Sequence, residues 1–156
     1  MDDGTISALR GFDDIWARVS GASEGGAPSL GALAEAAARQ CELLTALSRR
    51  CPAQAARLRG MAAAERALIC RLRAERFLAS GEDCRPSAAC AVVNNALCAL
   101  REAQLGASSL AEGLQAAANA APCELRRALD SLAAGERCRA RELRELILCC
   151  FGANCS

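Results

Sequence analysis

Apolar residues recur at three- and four-residue spacing through nearly the whole chain, and that spacing predicts helices near 4–19, 29–49, 53–79, 88–118 and 123–150. Asp3 caps the first, which aligns Ile6, Leu9, Phe12, Ile15 and Trp16 on one face and carries Asp13 and Asp14 on its polar side. Gly21 to Pro28 then breaks the pattern with three glycines and a proline, so this amphipathic arm is expected to lie on the rest of the chain through a flexible joint. Ser29 caps the second helix, whose stripe reads Leu30, Leu33, Ala37, Cys41, Leu44 and Leu47 before Pro52 interrupts. The third stripe is Leu58, Met61, Glu65, Leu68 and Leu72, ended by Gly81 and Pro86. Leu100, Ala103, Ala107, Leu110 and Leu114 mark the fourth, which spans roughly 45 Å if it starts at Ala88, so its first turns belong to a crossover. Leu129, Leu132, Glu136, Arg139 and Leu143 mark the last.

The chain is built twice. Glu65-Arg66 and Glu136-Arg137 are each followed by Leu-Arg seven residues after the glutamate, at Leu72-Arg73 and Leu143-Arg144, an offset of 71. Short turns at Cys51-Pro52 and Ala121-Pro122 force each flanking helix pair into a hairpin. The expected architecture is all-α: an arm and linker over 1–28, then an antiparallel four-helix bundle over 29–156, two hairpins joined by a crossover.

Composition agrees and narrows the function. Aromatics make up 3% of the 156 residues and tyrosine is absent, which suits helices and not a sheet. With 19 basic and 18 acidic residues, net charge +1, there is no electrostatic reason to expect nucleic acid or an anionic membrane as partner. No run approaches the roughly 18 apolar residues of a membrane span, and the opening MDDGT lacks the basic and apolar regions of a signal peptide, so a cytoplasmic location is expected. Eleven cysteines are many, but the number is odd and a chain of this length needs no disulfide framework; they read as reduced thiols used as small apolar residues.

Two glutamates stand where leucines belong. Glu65 and Glu136 each interrupt an apolar stripe, and each has a residue three positions on along the same stripe, the spacing at which four-helix bundles hold two metal ions through Glu-x-x-His. Here those partners are Leu68 and Arg139, and the chain has no histidine.

The segments ERALICRLRAERFLASGE at 65–82 and GERCRARELRELI at 135–147, with the hairpin repeat, resemble the ferritin-like superfamily and within it the rubrerythrin-like branch, over Ser29 to about Cys150. The resemblance implies a ferritin-like bundle holding two iron or manganese ions through one Glu from each of two helices and a Glu-x-x-His from each of the others. Carried across, Glu65 and Glu136 match the Glu of the two pairs, Leu68 and Arg139 replace the histidines, and Ala37 and Ala107 occupy the positions of the single glutamates. Glu35, Glu42, Glu102 and Glu112 lie nearby but point off axis. Two carboxylates without imidazole are too few for two divalent ions, so no metal, cofactor or catalytic residue is expected, and Arg139 is expected to supply the missing positive charge. The alternative is that Glu136 and Arg139 sit at the stripe's edge and snorkel to water.

Three functions follow as expectations. The first is a non-catalytic binding or structural protein, as a homodimer or with a protein partner that the sequence does not name. The second is a rubrerythrin-like oxidoreductase acting on peroxide or dioxygen. The third is a thiol-based binder of cuprous ions, against which no Cys-x-x-Cys or Cys-x-x-x-Cys pair occurs and only Cys41, Cys51 and Cys150 are expected to face inward. Cys123, Cys138 and Cys149 are expected to line an outer face of the last helix, under the arm or in a contact surface.

Overall fold

The computed structural model describes residues 26–152, which form four α-helices and no strand: α1 (Leu30–Arg50), α2 (Ala55–Ser80), α3 (Ala96–Ala120) and α4 (Cys123–Phe151). The arm expected at 4–19 and the thiol of Cys155 lie outside the described residues. Helix starts are set by local chemistry. The Ser29 hydroxyl accepts a hydrogen bond from the Ala32 amide at 3.1 Å, and Asn95 accepts one from Cys98 at 3.0 Å, each satisfying a first-turn donor. Pro52 opens a single 3-10 turn, Pro52–Gln54, between α1 and α2, and Pro122 precedes α4 directly. Gly81 closes α2 at φ 72°, with its amide donating to the Phe77 carbonyl at 2.8 Å, a conformation that costs a residue with a Cβ about 1 kcal/mol or more.

One boundary differs from expectation. The helix predicted from Ala88 starts at Ala96, and 88–95 belong to a helix-free crossover. Four alanines among 88–97 favour a helix, but Val92 and Val93 do so weakly and Asn95 is a strong cap, so the helix begins after it. The crossover needs the extra length. Fifteen residues, 81–95, can span roughly 50 Å, against roughly 39 Å for the 26 residues of α2. It runs along α1: Arg50 donates to the Asn94 carbonyl at 3.5 Å, Ala91 and Val93 pack on the core cluster around Leu47, and Cys84 packs on the one around Leu33. Covered this way, α1 buries Ala38, Gln40, Leu43, Ala46 and Ser48 as well as its stripe.

The apolar core is in two parts. One gathers Leu44, Leu47, Leu58, Met61, Leu100, Leu143 and Leu146; the other gathers Leu33, Leu68, Leu72, Leu110, Leu114 and Leu129. Nine of the eleven largest fully buried side chains are leucines, each worth about 2 kcal/mol of burial. The other two are Glu65 and Glu136, for which burial is unfavourable. Helices α1 and α3 approach closely through Ala34, Ala37, Ala103, Ala107 and Gly106, whereas α2 and α4 stand farther apart. Gly106 has no Cβ where the Gln40 amide lies, and that amide donates to the Ala103 carbonyl across the α1–α3 contact.

Candidate functional site

The wider gap between α2 and α4 holds the charged groups. Glu65 occupies the middle of the buried stripe of α2, Leu58, Met61, Ala62, Leu68 and Leu72, and Glu136 the middle of that of α4, Leu129, Ala133, Ala140, Leu143 and Leu146. Both are 0% exposed. Arg139, one turn beyond Glu136, lies back along the helix with its guanidinium at ordinary contact distance from the space above Gly135. Its Nε donates to Glu65 Oε1 at 3.1 Å and to Glu136 Oε1 at 2.9 Å, and its Nη2 donates to Glu136 Oε1 as well. One edge of one guanidinium thus joins two carboxylates from two helices, with the Arg139 side chain 16% exposed.

Charge does not balance through these bonds alone. Two carboxylates face one cation, and the second oxygen of each, Glu65 Oε2 and Glu136 Oε2, is buried without a hydrogen-bond partner. Burial, reinforced by the neighbouring Glu136 carboxylate and opposed by Arg139, pushes Glu65 up from its ordinary value of 4.5 to about 8. A proton therefore resides on the pair at neutral pH, which brings the layer to zero net charge and gives one of the two unpartnered oxygens a hydrogen to donate. For Arg139, burial disfavours the cation, but the bonds and charge of Glu136, then those of Glu65, outweigh it and its pKa is raised. The arrangement holds a proton between carboxyls and pins it beside a fixed cation.

The sequence-derived positions fall as follows. Leu68 is 2% exposed within an apolar cluster, and Ala37 and Ala107, on α1 and α3, are 0% exposed and offer only methyl groups. Glu35, Glu102 and Glu112 are exposed and Glu42 is half-buried, none of them bonded to the charged layer. Among the described residues no group of three or more His, Cys, Asp or Glu could hold a metal ion. The snorkelling alternative is overturned: Glu136 is wholly buried and bonded to Arg139, because α4 turns this position straight at α2.

The thiols are scattered. Cys41 is buried, Cys51 and Cys84 are half-buried, and the other seven among the described residues are exposed. The expectation that Cys150 faces inward is corrected, since at the end of α4 the inward stripe passes to Ile147 and Phe151. Cys41 donates to the Ala62 carbonyl at 3.5 Å and receives Arg66 Nη1 at 3.8 Å. Burial and the nearby Cys150 push the Cys51 thiol up. Sequence reasoning missed Gln40 and its bond to Ala103; Gly106, a glycine inside a predicted helix, was the available signal of a close approach. Compared with protein-family models, with curated proteins and with solved structures, the chain matches none.

Proposed function

We propose that this chain is a ferritin-like bundle in which a glutamate–arginine–glutamate layer stands in place of a di-metal site, and that it serves as a non-catalytic binding or structural protein of the cytoplasm. The observation that carries the reading is Arg139 bonded to both Glu65 and Glu136 from the position, three residues after Glu136, that a histidine ligand would occupy. Ala37 and Ala107 add no donor from the other two helices.

Helix order supports the ferritin-like connectivity. Gly31 lies against Arg76 and Cys41 against Ala62, so α2 returns along α1. Leu33 meets Gly113 while Gln40 meets Ala103, the order of antiparallel neighbours α1 and α3. A crossover of 81–95 between two hairpins is consistent with that topology. Two divalent ions need several converging anions, and a protonated carboxyl pair wedged by a guanidinium is a poor donor set.

Elemental analysis of untagged protein tests this. The expected outcome is no stoichiometric iron, manganese or copper. Two iron or manganese ions per chain would support the oxidoreductase reading instead, and several cuprous ions per chain the thiol one.

A further inference from the structure

A second concentration of charge lies outside the bundle core. Between α1 and α2 runs a groove of about 720 Å³, closed on its third side by the crossover at 85–88. Four arginines line it: Arg49 on α1, Arg66 and Arg73 on α2, and Arg85 on the crossover. Glu42 is the one acidic residue among its lining side chains. Elsewhere the two signs are nearly equal in number, with a net charge of +1 over the whole chain, so this groove is segregated.

Its charges are also unevenly satisfied. Arg73 donates to both oxygens of Asp83, at 3.0 and 2.7 Å, and Arg85 reaches the same carboxylate at 3.6 Å. Arg49 and Arg66 form no ion pair among the described residues, and the polar contact of Arg66 is to the Cys41 sulfur. Four guanidiniums against Glu42 and Asp83 leave an excess of two positive charges along one groove. Arg49 and Arg66, the two without an ion pair, approach the groove from different helices, so a ligand with more than one charged group is better matched than a lone ion. Guanidinium forks fit phosphoryl oxygens bidentately. Ile69, Ala38 and Pro86 give the groove an apolar side, but no aromatic residue lines it, so it offers no stacking platform for bases.

We propose that this groove is a binding site for a small, multiply charged phosphoryl compound, held chiefly by Arg49 and Arg66 with Arg85 closing over it. The site goes beyond the reading of the bundle core and shares no residue with it.

Pyrophosphate is the probe. Titrated calorimetrically into the full chain at neutral pH and low ionic strength, it is expected to bind at one equivalent per chain. Arg49→Gln with Arg66→Gln, both exposed positions, should weaken binding about tenfold or more. Arg127→Gln with Arg144→Gln, the same charge change on exposed positions of α4, should change it less than about twofold in moderate salt. Arg85→Gln alone serves as an independent arm and should weaken it about threefold or more. Absence of saturable binding, an equal loss in the two double variants, or succinate binding as tightly as pyrophosphate each overturns the proposal.

Discussion

Replacing Arg139 with leucine removes the only cation among the described residues bonded to Glu65 and Glu136 and adds both Oε1 atoms to the two Oε2 atoms that already lack partners. Stranding a buried charge in this way typically costs about 3–5 kcal/mol. The pair already holds one proton at neutral pH, so a single charge is left stranded. Arg139→Leu should therefore lose about 3 kcal/mol at pH 7 and less at pH 5, where protons are more plentiful. The triple change Glu65→Leu, Glu136→Leu, Arg139→Leu removes every charge and should be more stable than Arg139→Leu alone, the reverse of independent lesions adding up. Urea unfolding midpoints of the three proteins at both pH values give the comparison. A loss below about 1 kcal/mol at pH 7, the range of exposed pairs, or a loss that does not shrink with acid, refutes the account.

The wild-type protein should show its own pH dependence. The folded-state pKa of Glu65 lies above its ordinary value, so the stability it contributes is fully present below about pH 4.5 and is lost as pH rises through about 8. The expected slope is about 1.4 kcal/mol per pH unit between those limits, flattened by Glu65→Gln; unfolding curves that show stability rising from pH 5.5 to 8 would contradict it. Gly60, in the interior of α2 with open space where a Cβ would stand, should gain about 1 kcal/mol as Gly60→Ala, whereas Gly81→Ala, at positive φ, should lose a similar amount; thermal midpoints of opposite sign are the check. Native alkylation followed by mass mapping should label the seven exposed thiols among the described residues quickly and Cys41 only on unfolding, and three or more intramolecular disulfides in protein made in cytosol would show the reading of reduced thiols to be wrong.

Much of this was legible in the sequence because helical periodicity is local. The stripe through Glu65 is buried as its spacing required, and in the one through Glu136 Leu129, Glu136 and Leu143 are buried while Leu132 and Arg139 are half-buried; the 71-residue repeat brought the two glutamates together. Arg139 was legible as a neighbour of Glu136 for the same reason, and as a group that could face Glu65 across the bundle, whereas the distance at which it does so depends on the separation of α2 and α4, which no local pattern encodes. The start of α3 was misread because alanines favour a helix wherever the chain does not have to travel, and 88–95 do. Cys150 was misread because a stripe extrapolated to the helix end drifts off the core, where Ile147 and Phe151 take the inward positions instead. The arginine groove could not be read at all: it exists only because the crossover runs along α1.

The two apolar clusters leave one question that leucine cannot answer, which is where along its neighbour each helix should stop. Leu58 on α2 shares one cluster with Leu143 and Leu146 on α4, and Leu68 and Leu72 share the other with Leu129, so a slide of one turn, roughly 5.4 Å, would exchange leucine for leucine at little loss. The charged layer makes the sliding states unequal, since one turn of displacement carries Arg139 away from Glu65 and leaves a buried carboxyl group without its partner among hydrocarbon side chains. Glu65, Glu136 and Arg139 thus act as an alignment key, giving up some stability to fix the axial register of two otherwise interchangeable helical faces.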